Sequence, residues 1–286
     1  MSGQQGVDGP LQSFSDGLSL SKKVYYLAIL PFVLDAFFLI GTYIQTEYSY
    51  YFRFGAKVSL PAYFPSLTNV YDFPSRPVFQ TSLPLPVNDP LLVLLSEIFY
   101  TLIVTYVAAG YLGKLNAARL GDSSPFTVLA SKYFTRILGY ALLWVVIASL
   151  EALFILSSVP LAILYVLLLF VVNYFVFLTP FAIIVDNMRF AEALNRSVLL
   201  STSSASKTVP FVMLYLFGTL VISVPVYLIL NLRILGFFIA VAIFAFVGTA
   251  LVASTLCFYV RITRQQPLSG ATSASSMPSD GHSSVS

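Results

Sequence analysis

Histidine is almost missing from this chain: its one copy, His282, lies four residues from the C-terminus. That excludes a histidine-based zinc site, a histidine general base and a Ser-His pair from the body of the protein. Cysteine is as scarce, and Cys257, standing alone, can form no disulfide or redox pair within one chain. Neither a P-loop nor a dinucleotide fingerprint occurs. Charge is short as well. Only 9% of residues are Asp, Glu, Lys or Arg, where a soluble globular domain carries about a quarter.

What the chain has instead is apolar length. Hydrophobic residues fill 58% of its 286 positions, and the mean hydropathy is +0.86. Six stretches approach or exceed the ~20 residues that cross a hydrocarbon core about 30 Å thick. They are Val24 to Ile44, Pro90 to Leu112, Ile137 to Leu156, Pro160 to Val185, Val209 to Leu230 and Ile234 to Val260. Backbone in lipid must satisfy its hydrogen bonds within each stretch, which predicts helices; runs this long do not fit barrel strands. The expected fold is all-α, a polytopic membrane protein with six transmembrane helices. Its first stretch is too long for a signal peptide, and no small-x-small cleavage site follows, so it reads as an uncleaved anchor.

Eleven of the fifteen Lys and Arg residues, among them Lys22, Lys23, Lys132, Arg136 and Arg196, fall on one side of these stretches; Arg53, Lys57, Arg76 and Arg233 fall on the other. The positive-inside rule makes the richer side cytoplasmic. The expected organisation is a cytoplasmic N-terminal tail over residues 1–21, a six-span domain over 22–264 and a disordered Ser-rich cytoplasmic tail over 265–286, in the plasma membrane. The net charge of +3 then reports topology, with anionic inner-leaflet lipid as its counterpart and no role in nucleic-acid binding. The bilayer is the expected partner, with another membrane protein or a second copy left open. No cofactor is expected.

The loop over residues 45–89 carries ten Tyr and Phe residues and six prolines, a composition that predicts an ordered cap on the outer interface. Two interfacial amphipathic helices are expected on the cytoplasmic side. In the first, Ser124 caps, Phe126, Leu129 and Tyr133 share one face, and Lys132 and Arg136 lie on another. In the second, Asp186 or Asn187 caps, Phe190 and Leu194 share one face, and Arg189, Glu192 and Arg196 share the other, with Glu192 four residues before Arg196 for a pair.

Around that second helix, Thr179, Pro180, Asp186, Ala193, Leu194 and Ser197 resemble the membrane domain found ahead of some glycerophosphodiester phosphodiesterases and similar free-standing prokaryotic membrane proteins. The resemblance is best from Leu112 to Ile222. It implies a six-helix membrane domain with interfacial helices and no established chemistry of its own. Two departures stand out: no phosphodiesterase domain follows the last stretch, and the aromatic loop is large for the family.

Carboxylates at bilayer depth are costly and tend to face a protein interior or a wet cavity. Asp35, Glu97 and Glu151 are such residues, Asn173 adds a polar group, and Arg233 is a candidate partner in a short outer turn. They form a candidate polar cavity if their stretches pack together; separate pairing with nearby hydroxyls is the alternative. The leading functional expectation is a non-enzymatic structural module that binds lipid or a partner protein. A small transporter with an outward acidic cavity is the second, and a membrane-embedded hydrolase or lipid-transferring enzyme the third.

Overall fold

The structure, a computed structural model, describes residues 5–46, 55, 57–70, 90–157 and 159–265. Among these residues every long element is a helix and no strand occurs. In chain order come α1 (Gln5–Lys23), α2 (Ile29–Thr46), α3 (Pro90–Leu120), α4 (Phe126–Ser157), α5 (Val159–Val176), α6 (Thr179–Val185), α7 (Phe190–Ser203), α8 (Ala205–Leu230) and α9 (Arg233–Gln265). Short 3₁₀ turns occupy Tyr25–Ala28 and Leu67–Asn69. Among the described residues four stretches are long and apolar enough to cross a membrane: Ile98–Leu120, Ile163–Val185 across α5 and α6, Ala205–Leu230 and Leu235–Gln265. Gly9–Lys23 and Tyr25–Phe37, meeting at 87°, make a fifth if they are one broken span.

Helices α3 and α4 form an antiparallel hairpin whose turn follows from Gly121. With φ at +76°, Gly121 ends α3 in the left-handed region, and Asp122 N–H reaches Ala117 O at 2.8 Å while Gly121 N–H reaches Ala118 O at 3.4 Å. This pair of bonds is a Schellman motif, which satisfies carbonyls that the helix end would leave free. Asp122 Oδ1 then accepts the Ser124 N–H at 2.9 Å and its carboxylate takes the Ser124 hydroxyl. The Ser124 side chain therefore faces back into the turn, contrary to its expected place as a helix cap. These bonds hold the exposed Asp122 carboxyl below the usual carboxylate range, the Ser124 hydroxyl contributing most.

The first expected interfacial helix does not exist as a separate element. Phe126 to Ser157 is one unbroken helix, and its apolar face is used on α3. A Cβ on Gly110 would lie 2.4 Å from the Phe126 ring and one on Gly113 2.9 Å from Leu129 Cβ, so the two backbones approach where α3 has no side chain. Leu129, Tyr133 and Ile137 are buried accordingly. Lys132 is exposed, above the Tyr133 ring.

Residues 5–21, expected from the sequence to belong to an N-terminal tail over 1–21, lie in α1. Its buried positions, Pro10, Ser13, Gly17, Leu20 and Ser21, recur at helical spacing, and the helix packs along the last turns of α9. Gly17 makes that approach possible: a Cβ there would stand 2.3 Å from Ser254 Oγ and 2.4 Å from Ser254 Cα.

The main core gathers α6, α7, α8 and α9 with the facing ends of α3 and α4; Phe211 of α8 and Phe258 of α9 stack there at 4.1 Å with 9° between planes. A second cluster joins Leu67 and Val70 to Val226 and Tyr227 of α8 and Phe244 of α9. By contrast α5 exposes Ile163, Leu164, Val166, Leu167, Leu168 and Val171. Contiguous exposure of that kind suits acyl chains better than water.

Candidate functional site

Residues 57–70 do not lie as a cap over the helices. They enter the bundle. The Lys57, Ser59 and Ala62 N–H groups donate to Ser223 Oγ, Thr219 Oγ1 and Tyr215 hydroxyl of α8 at 3.0, 3.1 and 3.3 Å. Those hydroxyls stand four residues apart on one helix face, so the segment tracks α8 for about 12 Å at 1.5 Å per residue. Buried backbone needs a partner for each polar group. The hydroxyl row supplies three, and Pro61 and Pro65 bring no N–H that would need one.

At its inner tip the segment meets several helices. Tyr63 packs edge-on to Tyr140 of α4 at 5.1 Å, Phe64 edge-on to Tyr111 of α3 at 5.2 Å, and Pro65 sits against Gly248 of α9. Asp35 of α2 holds the return. Its carboxylate accepts the Ser66 hydroxyl at 2.7 Å and the Leu67 N–H at 2.6 Å, at the start of the 3₁₀ turn. Of the two readings the sequence leaves for Asp35, a wall of a polar cavity or pairing with a nearby hydroxyl, the geometry gives the second, and Asp35 is a buried tie between α2 and this loop.

Asn173 lines a cavity of about 420 Å³ between the loop, α4 and α5, together with Lys57, Tyr63, Asn69, Tyr140 and Trp144. Its Oδ1 is buried and has no hydrogen-bond partner. Asp35 does not line that cavity. Glu97 lies in α3, Glu151 in α4 and Arg233 at the start of α9; their side chains fall outside the described ones, as do residues 47–54, 56 and 71–89 of the aromatic loop. Tyr, Trp, Asn and Lys offer hydrogen bonds, ring faces and one positive charge. Among the described residues no group of three His, Cys, Asp or Glu side chains could hold a metal ion.

The residues that carry the family resemblance meet at a second place, the junction of α5, α6 and α7. α5 stops at Val176, α6 starts at Thr179, and Pro180 has no N–H to continue the ladder. α7 supplies the missing donors: Ser197 Oγ bonds Phe175 O at 2.6 Å and Ser201 Oγ bonds Tyr174 O at 3.2 Å, while Tyr174 returns its hydroxyl to Ser201 O at 3.0 Å. Ala193, with no exposed surface, lets α7 lie against the break.

The loop from Asp186 to Arg189 is also tied down. Asp186 accepts the Tyr259 hydroxyl of α9. Arg136 Nη1 reaches Asn187 O and Asn187 Oδ1, both at 2.7 Å, where Asn187 adopts φ +55°. Asn is among the residues that visit this left-handed region most readily. Neither Asp186 nor Asn187 caps α7, as the sequence suggested. The cap position is Arg189, whose N–H donates to Glu192 Oε2 at 3.2 Å.

The facing of α7 also differs from expectation. Phe190 and Leu194 are half-buried and Val198 is exposed, whereas Ala193, Arg196, Ser197, Leu200 and Ser201 are buried. Arg196, placed by helical counting on a solvated face, is buried and interacts with the Tyr259 hydroxyl. Tyr259 and the hydroxyl row of α8 were not anticipated; the i, i+4, i+8 spacing of Tyr215, Thr219 and Ser223 was the available signal. Comparison of the chain with protein-family models, with curated proteins and with solved structures gives no match.

Proposed function

We propose that this chain is a six-span protein of the cell membrane, with both termini cytoplasmic, acting as a non-enzymatic module that engages lipid. The observation that carries this reading is the use made of its described buried polar groups. Asp35 is committed to Leu67 and Ser66, Asp186 to Tyr259, and Ser197 and Ser201 to the broken helix. Each of these bonds ties one element of the bundle to another. The exposed apolar side chains of α5 present the bundle to acyl chains. Pro180, Asp186, Ala193 and Ser197, all at one junction, fit a relation to the glycerophosphodiester phosphodiesterase membrane domain, in which such residues would be structural. α7 and the basic helix ends would face the inner leaflet.

Two measurements test the reading. Cysteine placed at Lys132, which is exposed, is expected to resist an impermeant maleimide in intact cells and to react after permeabilisation. Labelling before permeabilisation overturns the orientation. Purification in mild detergent with mass spectrometry is expected to recover bound lipid in fixed ratio; a chain carrying no specific lipid refutes the lipid-engaging role.

One observation favours a second reading, a small transporter: the cavity holding the unpartnered Asn173 Oδ1. A polar solute whose uptake is lost on Asn173→Ala, with the protein still folded, would select that reading.

A further inference from the structure

A groove of about 460 Å³ runs between α1, the end of α3 and the end of α9. Four cations line it, Lys23, Arg119, Arg261 and Arg264, against a single carboxylate, Asp16, which is paired with Arg261 at 2.7 Å. Arg119 and Arg264 repel each other across it. An anion between them would turn that repulsion into attraction.

Two of the guanidinium groups are held in advance. Arg119 donates from Nε and Nη2 to Asn116 Oδ1 at 3.1 and 2.8 Å, and Arg261 from Nη1 to Gly9 O and Gln12 Oε1 at 2.9 and 3.0 Å. Donors fixed before the ligand arrives cost less ordering on binding. Leu20, Ala118 and Val260 give the same groove apolar wall.

We infer that this groove binds a phosphate-bearing anion, with Arg119 and Arg264 as its main contacts. The planar guanidinium fork matches phosphate oxygens, and bidentate contacts of this kind are among the stronger hydrogen bonds. The inference deepens the lipid-engaging reading and rests on its placement of this end of the bundle at the cytoplasmic surface, where anionic headgroups collect. A lipid headgroup and a soluble phosphate share the required chemistry.

The test uses the full chain in mild detergent, titrated with dioctanoyl phosphatidylglycerol, dioctanoyl phosphatidylcholine or inorganic phosphate and read by native mass spectrometry. One tightly held phosphatidylglycerol per chain is expected, bound about tenfold or more tighter than phosphatidylcholine, whose phosphate is the same but whose quaternary ammonium is repelled by the four cations of the groove. Arg119→Gln with Arg264→Gln is expected to erase the difference, and Lys132→Gln, outside the groove, to keep it. Saturable phosphate binding that the double variant loses would make the phosphate itself the recognised group; phosphatidylglycerol binding without it would assign the headgroup. Asp16→Asn, which removes the one carboxylate, is expected to tighten binding and serves if the double variant does not fold. Equal binding of both lipids with no phosphate binding, or an unchanged double variant, overturns the inference. The labelling at position 132 reports orientation separately, so the two failures are distinguishable.

Discussion

Asp35 accepts the Leu67 N–H at 2.6 Å, joining α2 to a loop that lies deep among the helices. Leu67 has no exposed surface, so its amide has no water to turn to if the carboxylate is removed. Asp35→Ala should therefore lower stability by about 1–3 kcal/mol, the usual cost of a buried donor left unsatisfied. Asp35→Asn, which retains an acceptor, should lose less. Thermal unfolding in detergent checks both, and equal midpoints for wild type and Asp35→Ala would refute the tie.

Gly17→Val puts side-chain atoms where Ser254 already stands, since even a Cβ would lie 2.3 Å from its Oγ. Overpacking of this kind costs about 1–3 kcal/mol, and the cheaper escape is for α1 to lift from α9. Faster tryptic cleavage at Lys22 and Lys23 is the expected sign. A cleavage rate equal to wild type would show the contact to be dispensable.

Ser197→Ala leaves the Phe175 carbonyl unpaired at the break between α5 and α6, with an expected loss of about 1 kcal/mol. Ser201→Ala does the same to Tyr174. Because both hydroxyls brace one break, the double variant should depart from additivity, as neighbouring sites do. Unfolding midpoints of the two single variants and the double variant measure this; strictly additive shifts would mean that the carbonyls are braced independently.

The Asp122 carboxyl, held low by the Ser124 hydroxyl and N–H, should titrate below a free aspartate, and Ser124→Ala should raise it toward the ordinary value. A depressed carboxyl contributes its stabilisation above the unfolded value and loses it as pH falls through the folded one, so the α3–α4 turn should loosen only in acid. Carbon NMR of the labelled side chain reads the titration directly. An unaltered titration in Ser124→Ala would remove Ser124 as the cause.

The turn between α3 and α4 obeys local rules, Gly121 ending α3 in the left-handed region and Pro125 standing immediately before α4, yet Ser124 bonds back to Asp122 and does not cap the helix. The interfacial reading of Phe126, Leu129 and Tyr133 failed for a different reason. An apolar face looks the same whether it meets lipid or another helix, and only Gly110 and Gly113 of α3, brought opposite, decide between them. Arg196 was misplaced because helical counting supposes one buried side, whereas α7 packs over the broken α5–α6 helix and near Tyr259. α1 is not legible in the sequence because Gly9, Pro10 and Gly17 depress helix propensity, and of these Gly17 lets it rest on α9.

Apolar length and scarce charge determined from the sequence alone that the chain is helical and suited to lipid, because hydropathy and backbone hydrogen-bond closure act locally along the chain. Tertiary structure decided where the polar groups went: Asp35 to Leu67, Asp186 to Tyr259, Ser197 to Phe175, and Arg119 to a groove shared with Arg264. Those partners stand on different elements, and each pairing exists only because packing brings their helices and loops to within a hydrogen bond or a groove's width of one another.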